Sequence, residues 1–200
     1  MQSAPKQRRL PPWLKRPLPR SKGQGPLDAL LDEQRLHTVC EEANCPNKAQ
    51  CFAHGTATFM ILGDVCTRRC QFCSVKSGRP PNPPDPDEPQ RLADTAAAMK
   101  LEHVVVTSVD RDDLADGGSE HWAAVVRALN AALPDATIEV LTPDFQGRKE
   151  QINAVMDARP RIFNHNIETV PSLYRRIQPG SVYKRSLKVL AYVKRRDPGM

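Results

Sequence analysis

From residue 56 onward the sequence alternates short apolar runs with amphipathic stretches four times, and few folds accept that pattern. The run at 56–65, "TATFMILGDV", is mostly apolar and rich in β-formers, as a buried parallel strand requires. Strands are expected again at 102–109, 136–143 and 161–168. Between them lie helical stretches near 88–100, 119–133 and 148–158, with further helical segments near 171–177 and 183–195. Asp87 and Pro89 mark the start of the first. Trp122, Val125, Val126, Leu129 and Leu133 share one face of the second, and Ile152, Val155 and Met156 one face of the third. Strands alternating with helices imply an α/β fold, a parallel sheet with right-handed crossovers.

Such a sheet gathers ligands at the carboxyl ends of its strands. The polar residues fall at that edge: "CTRRCQFC" after the first strand, "TSVDRDD" after the second, "TPDF" after the third and "NHNIE" at the fourth. Upstream, a polar helix is expected at 27–36, followed by a loop that ends at Gly55.

All six cysteines lie between positions 40 and 73. A chain of ordinary domain size does not need local disulfides, so the cluster reads as metal binding in a reducing compartment. Cys66, Cys70 and Cys73 are spaced C-x3-C-x2-C. Zinc sites use paired hooks that total four ligands, which this triplet fits poorly. A 4Fe–4S cluster wants one terminal ligand at each of four irons. Three thiolates within eight residues can serve three corners and leave the fourth iron to a small molecule.

This motif, with Phe72 before its last cysteine, resembles the radical S-adenosylmethionine enzymes. The resemblance implies that the open iron binds the amino and carboxylate groups of S-adenosylmethionine, whose reductive cleavage yields a 5′-deoxyadenosyl radical. Arg68 and Arg69 then either offset cluster charge or are solvated. A second triplet, Cys40, Cys45 and Cys51, is spaced C-x4-C-x5-C. Together with "TVCEEANCPN", "ATFMILGDVCTRRCQFC", "VVVTSVDRDDLADGG", "LTPDF" and "HNIETV", it resembles the lipoyl synthase family, over nearly every residue from about 11 to 200. That family inserts two sulfurs, at C6 and C8, into an octanoyl chain on a carrier-protein lysine. The resemblance implies radical generation at Cys66, Cys70 and Cys73 and sulfur donation from an auxiliary 4Fe–4S cluster on Cys40, Cys45 and Cys51. Its partners would be octanoylated lipoyl-carrier domains and an electron donor such as flavodoxin or ferredoxin. An unactivated C–H bond offers no acid/base route, so no catalytic dyad is expected. Phe72, Thr107, Ser108, Asp110, Asn164, Asn166, Glu168 and Arg185 are the candidates to hold S-adenosylmethionine. So is the turn of Asp116, Gly117 and Gly118, where bare backbone can approach the methionyl part. His165 reads as a packed edge histidine.

The fold implied is a partial (βα) parallel barrel of about four units at 56–200, behind a cysteine-bearing extension at 26–55. Residues 1–25 form a Pro-rich arm with seven Lys and Arg and no acid, against 29 and 23 in the whole chain, so the remainder is near neutral. The arm reads first as a solvated tail and next as a strip for an acidic partner. "PPWLKRPLP" resembles the family's N-terminal arm and argues against a cleaved presequence. No apolar run suits a membrane span, and the arm lacks the interleaved aromatics of a nucleic-acid binder, so neither partner is expected and the location is read as cytoplasmic. The family continues with further βα units and an Arg-Ser-x-Ser tail that completes the second cluster. Neither occurs in these 200 residues, so a truncated chain of little lipoyl-forming activity is expected. Other readings of the cysteines are a biotin synthase-like sulfur inserter and a non-catalytic iron–sulfur protein.

Overall fold

The structure, a computed structural model, describes residues 11, 26–43 and 45–200. The basic arm and its "PPWLKRPLP" segment lie almost wholly outside the described residues. Helix α1 spans Pro26–Glu33, ending earlier than the expected 36 because Arg35 turns left-handed at φ 51°. The stretch read as a plain loop carries structure. Strand β1 (His37–Thr38) leads into α2 (Val39–Glu42), whose start is capped by Thr38 accepting from the Glu41 N–H, and α3 follows at Lys48–Ala53.

The main sheet has the order β1-β2-β5-β6-β7. Its strands are β2 (Thr56–Ile61), β5 (His103–Ser108), β6 (Thr137–Leu141) and β7 (Ile162–Asn164), all mutually parallel, with β1 antiparallel on the outer edge of β2. The register pairs Met60 with Thr107, and Thr107 with Leu141, while Leu141 meets Asn164. All four strands are shorter than expected, β2 and β7 the most. β2 stops where Leu62 and Gly63 take φ of 71° and 94°, which breaks the pleat, and β7 is only three residues long. Two further strands, β3 (Val65–Cys66) and β4 (Lys76–Ser77), pair in parallel across the second cysteine loop. Among the described residues no strand pairs beyond β7.

Each long strand is followed by its helix: α4 (Glu88–Ala98), α5 (Ser119–Ala132) and α6 (Lys149–Asp157), then α7 (Tyr174–Ile177) and α8 (Tyr183–Arg196). Right-handed crossovers between strands that neighbour one another in chain order place successive helices on one face of the sheet. That face is the core. Phe59, Ile61, Val104, Val106, Ile138 and Val140 are almost fully buried, against Leu92, Trp122, Val126, Leu129, Ile152 and Val155 of the helices. The alternate residues Val105, Thr107, Glu139, Leu141 and Asn164 look the other way and stay half-buried. One covered face and one half-open face define a segment of a (βα) barrel; in a doubly wound sheet helices cover both faces.

Glu88, at the start of α4 and 5% exposed, accepts the Leu62 N–H at 3.0 Å and binds His121 Nε2. It thereby pins the end of β2, from which the second cysteine loop departs.

Candidate functional site

The cysteine loop leaves the carboxyl end of β2 and is tied to the segment after β5. Thr67 donates from its N–H and its hydroxyl to the Asp110 carbonyl, and the Asp112 N–H returns a bond to Thr67 Oγ1. The Arg68 and Asp110 N–H groups point at Cys66 Sγ, at 3.4 and 3.3 Å. The Gln71 N–H donates to the Ile177 carbonyl, which braces the far side of the loop on α7.

Arg68 is the centre of this arrangement. Only 6% exposed, it donates from Nε and Nη2 to the two oxygens of Asp112, at 2.8 and 3.0 Å. Nη2 also reaches Asp144 Oδ1 at 2.8 Å, Nη1 meets Ser181 Oγ at 3.2 Å, and Asp110 Oδ1 lies 3.4 Å from Nε. One side chain thus joins the cysteine loop to the loops after β5 and β6 and to the approach to α8. Burial works against its charge, but the hydrogen bond of Asp112 and the charges of Asp110 and Asp144 outweigh it and raise its pKa. Arg69, the neighbour weighed equally in the sequence, is exposed.

All six cysteines are free thiols. Burial pushes Cys70 up to about 12, helped by the charges of Asp110, Cys66 and Cys73. Burial also raises Cys66, and in the first triplet Cys40. The Thr58 backbone of β2 works against that rise at Cys40, and Cys45 and Cys51 add to it. Each triplet is therefore a set of thiols whose thiolates repel one another until a cation joins them. Among the described residues no group of three or more Cys, His, Asp or Glu closes on a single ion. A cluster asks for something else, one thiolate at each of several irons, and three free thiols on a short loop with N–H donors aimed at sulfur fit it.

The other residues singled out in the sequence are placed variously. Asp110 faces Cys66 and Arg68, and its burial pushes it up to about 6. Thr107 donates to the Leu141 carbonyl. Ser108 falls on the helix-covered face with Val104 and Val106, and its buried hydroxyl has no partner among the described residues. Phe72 is 53% exposed. Asp116 accepts from the N–H groups of Gly118 and Glu120, which holds its pKa low against its burial and starts α5. Gly117 and Gly118 have φ of 62° and 82°, and a Cβ on Gly118 would meet Leu62 Cδ1 at 2.6 Å. Asn164 donates to Glu139, and exposed Asn166 donates to Glu168. Arg185 is held by Asp144 Oδ2, at 2.7 Å, and by the Gly180 carbonyl. His165 binds the Thr142 carbonyl through Nδ1 and Ser186 Oγ through Nε2, at 2.8 and 2.9 Å, and burial lowers its pKa. It is a packed, neutral edge histidine, donating from Nδ1 and accepting at Nε2.

Sequence reasoning missed the roles of Arg68, Asp112, Asp144 and Glu139. The one available signal was the pairing of a basic "TRR" with an acidic "DRDD" at the same sheet edge.

A one-faced (βα) sheet with a three-cysteine loop after its first parallel strand is the architecture of a radical enzyme built on an iron–sulfur cluster. Residues 60–197 match the model of the radical SAM superfamily, and the chain belongs to it. Membership implies a 4Fe–4S cluster and S-adenosylmethionine as cofactors, and Cys66, Cys70 and Cys73 are the candidates to hold the cluster.

Within the superfamily the likeness is to lipoyl synthase: residues 2–45 match the N-terminal domain of lipoyl synthase. The chain is 53% identical over 191 residues to the lipoyl synthase of Laribacter hongkongensis, covering 95% of this chain and 60% of that protein. It is 56% identical over 172 residues to that of Methylococcus capsulatus, covering 86% and 53%, and 54% identical over 191 residues to that of Thiobacillus denitrificans, covering 95% and 61%. The chain thus spans about three fifths of the length of these relatives. Among the described residues no helix is long and apolar enough to cross a membrane.

Proposed function

We propose that this chain carries the two cluster sites of a lipoyl synthase. The reaction is the radical insertion of two sulfurs, at C6 and C8, into an octanoyl chain held on the lysine of a carrier-protein domain. The observation that carries the reading is the pair of cysteine triplets served by one strand. Cys40 lies near the Thr58 backbone of β2, and Cys66, in β3, follows five residues after the end of the same strand. One triplet suffices for a generic radical enzyme; the second supports sulfur donation. When bound, the clusters and S-adenosylmethionine supply the radical and the sulfur, because the hard chemistry is the cofactors'. The chain's own residues position them. Cys66, Cys70 and Cys73 would hold the radical-generating cluster, and Cys40, Cys45 and Cys51 the auxiliary one. Phe72, Thr107, Asp110, Gly117, Gly118, Asn164, Asn166, Glu168 and Arg185 are the proposed surroundings of S-adenosylmethionine; Ser108, whose hydroxyl is buried on the helix-covered face, is left out of that set. The electron donor would be a flavodoxin or ferredoxin, in a reducing, cytoplasmic setting that suits six free thiols.

Anaerobic reconstitution with iron and sulfide analysis tests the cluster sites directly. Cys70→Ala is expected to abolish formation of 5′-deoxyadenosine, and undiminished production would overturn the assignment of the second triplet. In a full-length counterpart, the variant equivalent to Cys45→Ala is expected to cleave S-adenosylmethionine while inserting no sulfur into an octanoylated carrier peptide; lipoyl product from that variant would remove the first triplet from sulfur donation.

A further inference from the structure

A chain of polar side chains crosses the half-open face of the sheet. His103 on β5 lies two residues before Val105, which pairs with Glu139 of β6; Leu141, two residues past Glu139, pairs with Asn164 of β7. The period of two places all three side chains opposite the buried face of Val104, Val106, Ile138 and Val140. His103 Nε2 lies 2.8 Å from Glu139 Oε2, and Asn164 Nδ2 lies 2.5 Å from Glu139 Oε1. The Glu139 side chain is 18% exposed, so its charge needs these partners. The diagonal climbs from the amino edge of the sheet to its carboxyl edge, where the second cysteine loop departs.

The chemistry of this chain fixes an orientation. An ionised carboxylate only accepts hydrogen bonds, whereas an amide has one donating and one accepting end. Glu139 therefore takes the Asn164 NH₂, which leaves Oδ1 directed away from the carboxylate. Among the described residues no protein donor reaches that oxygen. Glu139 plays no part in the sulfur-insertion reading as it stands.

We propose that Glu139 is a positioning residue of the cofactor site: it fixes the Asn164 amide so that the edge presents a carbonyl acceptor to a hydroxyl or ammonium group of S-adenosylmethionine. This rests on the reading of that edge as the cofactor site. His103 holds the second carboxylate oxygen and keeps Glu139 from swinging. Glu139→Gln replaces the carboxylate with an amide of either orientation, so Asn164 no longer has one preferred face.

The test measures S-adenosylmethionine affinity by equilibrium dialysis on anaerobically reconstituted protein of matched iron and sulfide content. Glu139→Gln is expected to weaken binding about tenfold, the scale of one misdirected hydrogen bond. Asn164→Ala is expected to do the same, and the double variant to bind no more weakly than Asn164→Ala alone. Independent, multiplying losses in the double variant, or unchanged affinity in Glu139→Gln, would overturn the proposal. A wild-type protein that takes up the cluster yet binds no S-adenosylmethionine would overturn the cofactor-site reading, and this inference with it. A readout independent of the cofactor is the side-chain amide resonance of Asn164 in the wild-type apoprotein. It is expected to be shifted downfield and slow to exchange; an ordinary solvent-exposed amide signal would refute the orientation, whatever the variants do.

Discussion

Replacing Arg68 with alanine removes the side chain that ties the cysteine loop to three other segments. Breaking a buried ion pair by deleting one partner costs about 3–5 kcal/mol, because the other charge is left without compensation. Two features place this case near the lower end. Asp144 keeps Arg185 at 2.7 Å, and the Asp112 side chain, 33% exposed, can rehydrate. The expected loss is about 3 kcal/mol, part of it packing, since Gly180 lies against the Arg68 stem. Arg68→Lys keeps the charge, but a single ammonium cannot span Asp112, Asp144 and Ser181 together, so about 1–2 kcal/mol is expected. Arg69→Ala, one residue on and exposed, is expected to stay within about 0.5 kcal/mol of wild type. Urea unfolding of the four proteins at pH 7 measures these values. Acid adds a second check. The hydrogen bond from Arg68 holds Asp112 below the usual carboxylate range; burial pushes Asp144 up, but Arg68 outweighs it and lowers it too. A depressed carboxylate contributes stability above its unfolded pKa of about 3.9, and that stability is lost as pH falls through the lower folded value. The gap between wild type and Arg68→Ala should therefore narrow below about pH 4. Equal losses for Arg68→Ala and Arg69→Ala, or a gap unchanged down to pH 2.5, would refute the account of Arg68 as the tie of the loop.

Two further outcomes follow from the geometry. Gly118→Ala is expected to cost about 1–3 kcal/mol, since its Cβ would overlap Leu62 and its φ is 82°, whereas Gly117→Ala, with only an ordinary contact to Phe145 at 3.5 Å, should cost about 1 kcal/mol; thermal melts that reverse this order would contradict the packing of the turn on the end of β2. Burial holds His165 below its ordinary value, so the unfolded chain takes up its proton first, and the His165 contribution to stability should fall as pH drops below about 6.5, then level off below the folded pKa, against the opposite contribution of buried Asp110. His165→Asn should flatten that acid slope between pH 7 and 5, and an identical slope in both proteins would show that His165 is not the group responsible.

The cysteine spacings, the four strand–helix alternations and the edge that collects polar loops were all legible in the sequence, because each is local or periodic. Three thiols in "CTRRCQFC" need no tertiary knowledge to be seen as one ligand set, and burial of Val104 and Val106 opposite Val105 and Thr107 follows from the two-residue period of a strand. The limits of β2 and β7 were not legible. The end of β2 coincides with Leu62 adopting a left-handed conformation, which its side chain does not favour and which packing against Gly118 accompanies. The structure within 37–55 was hidden too, since β1 is two residues long and exists by pairing with β2. Arg68 and Arg69 could not be told apart from their neighbours in the chain. What separates them is a set of partners 44, 76 and 113 residues away, and the choice of which arginine is buried is made when the loops after β5 and β6 close over the sheet. The same holds for Glu139, an ordinary alternating residue of a strand until two neighbouring strands bring His103 and Asn164 to its two oxygens. Local chemistry thus set which groups are the candidates to bind a cluster, and the tertiary structure alone decided which charges are buried, because burial of a charge depends on partners that only the folded sheet assembles.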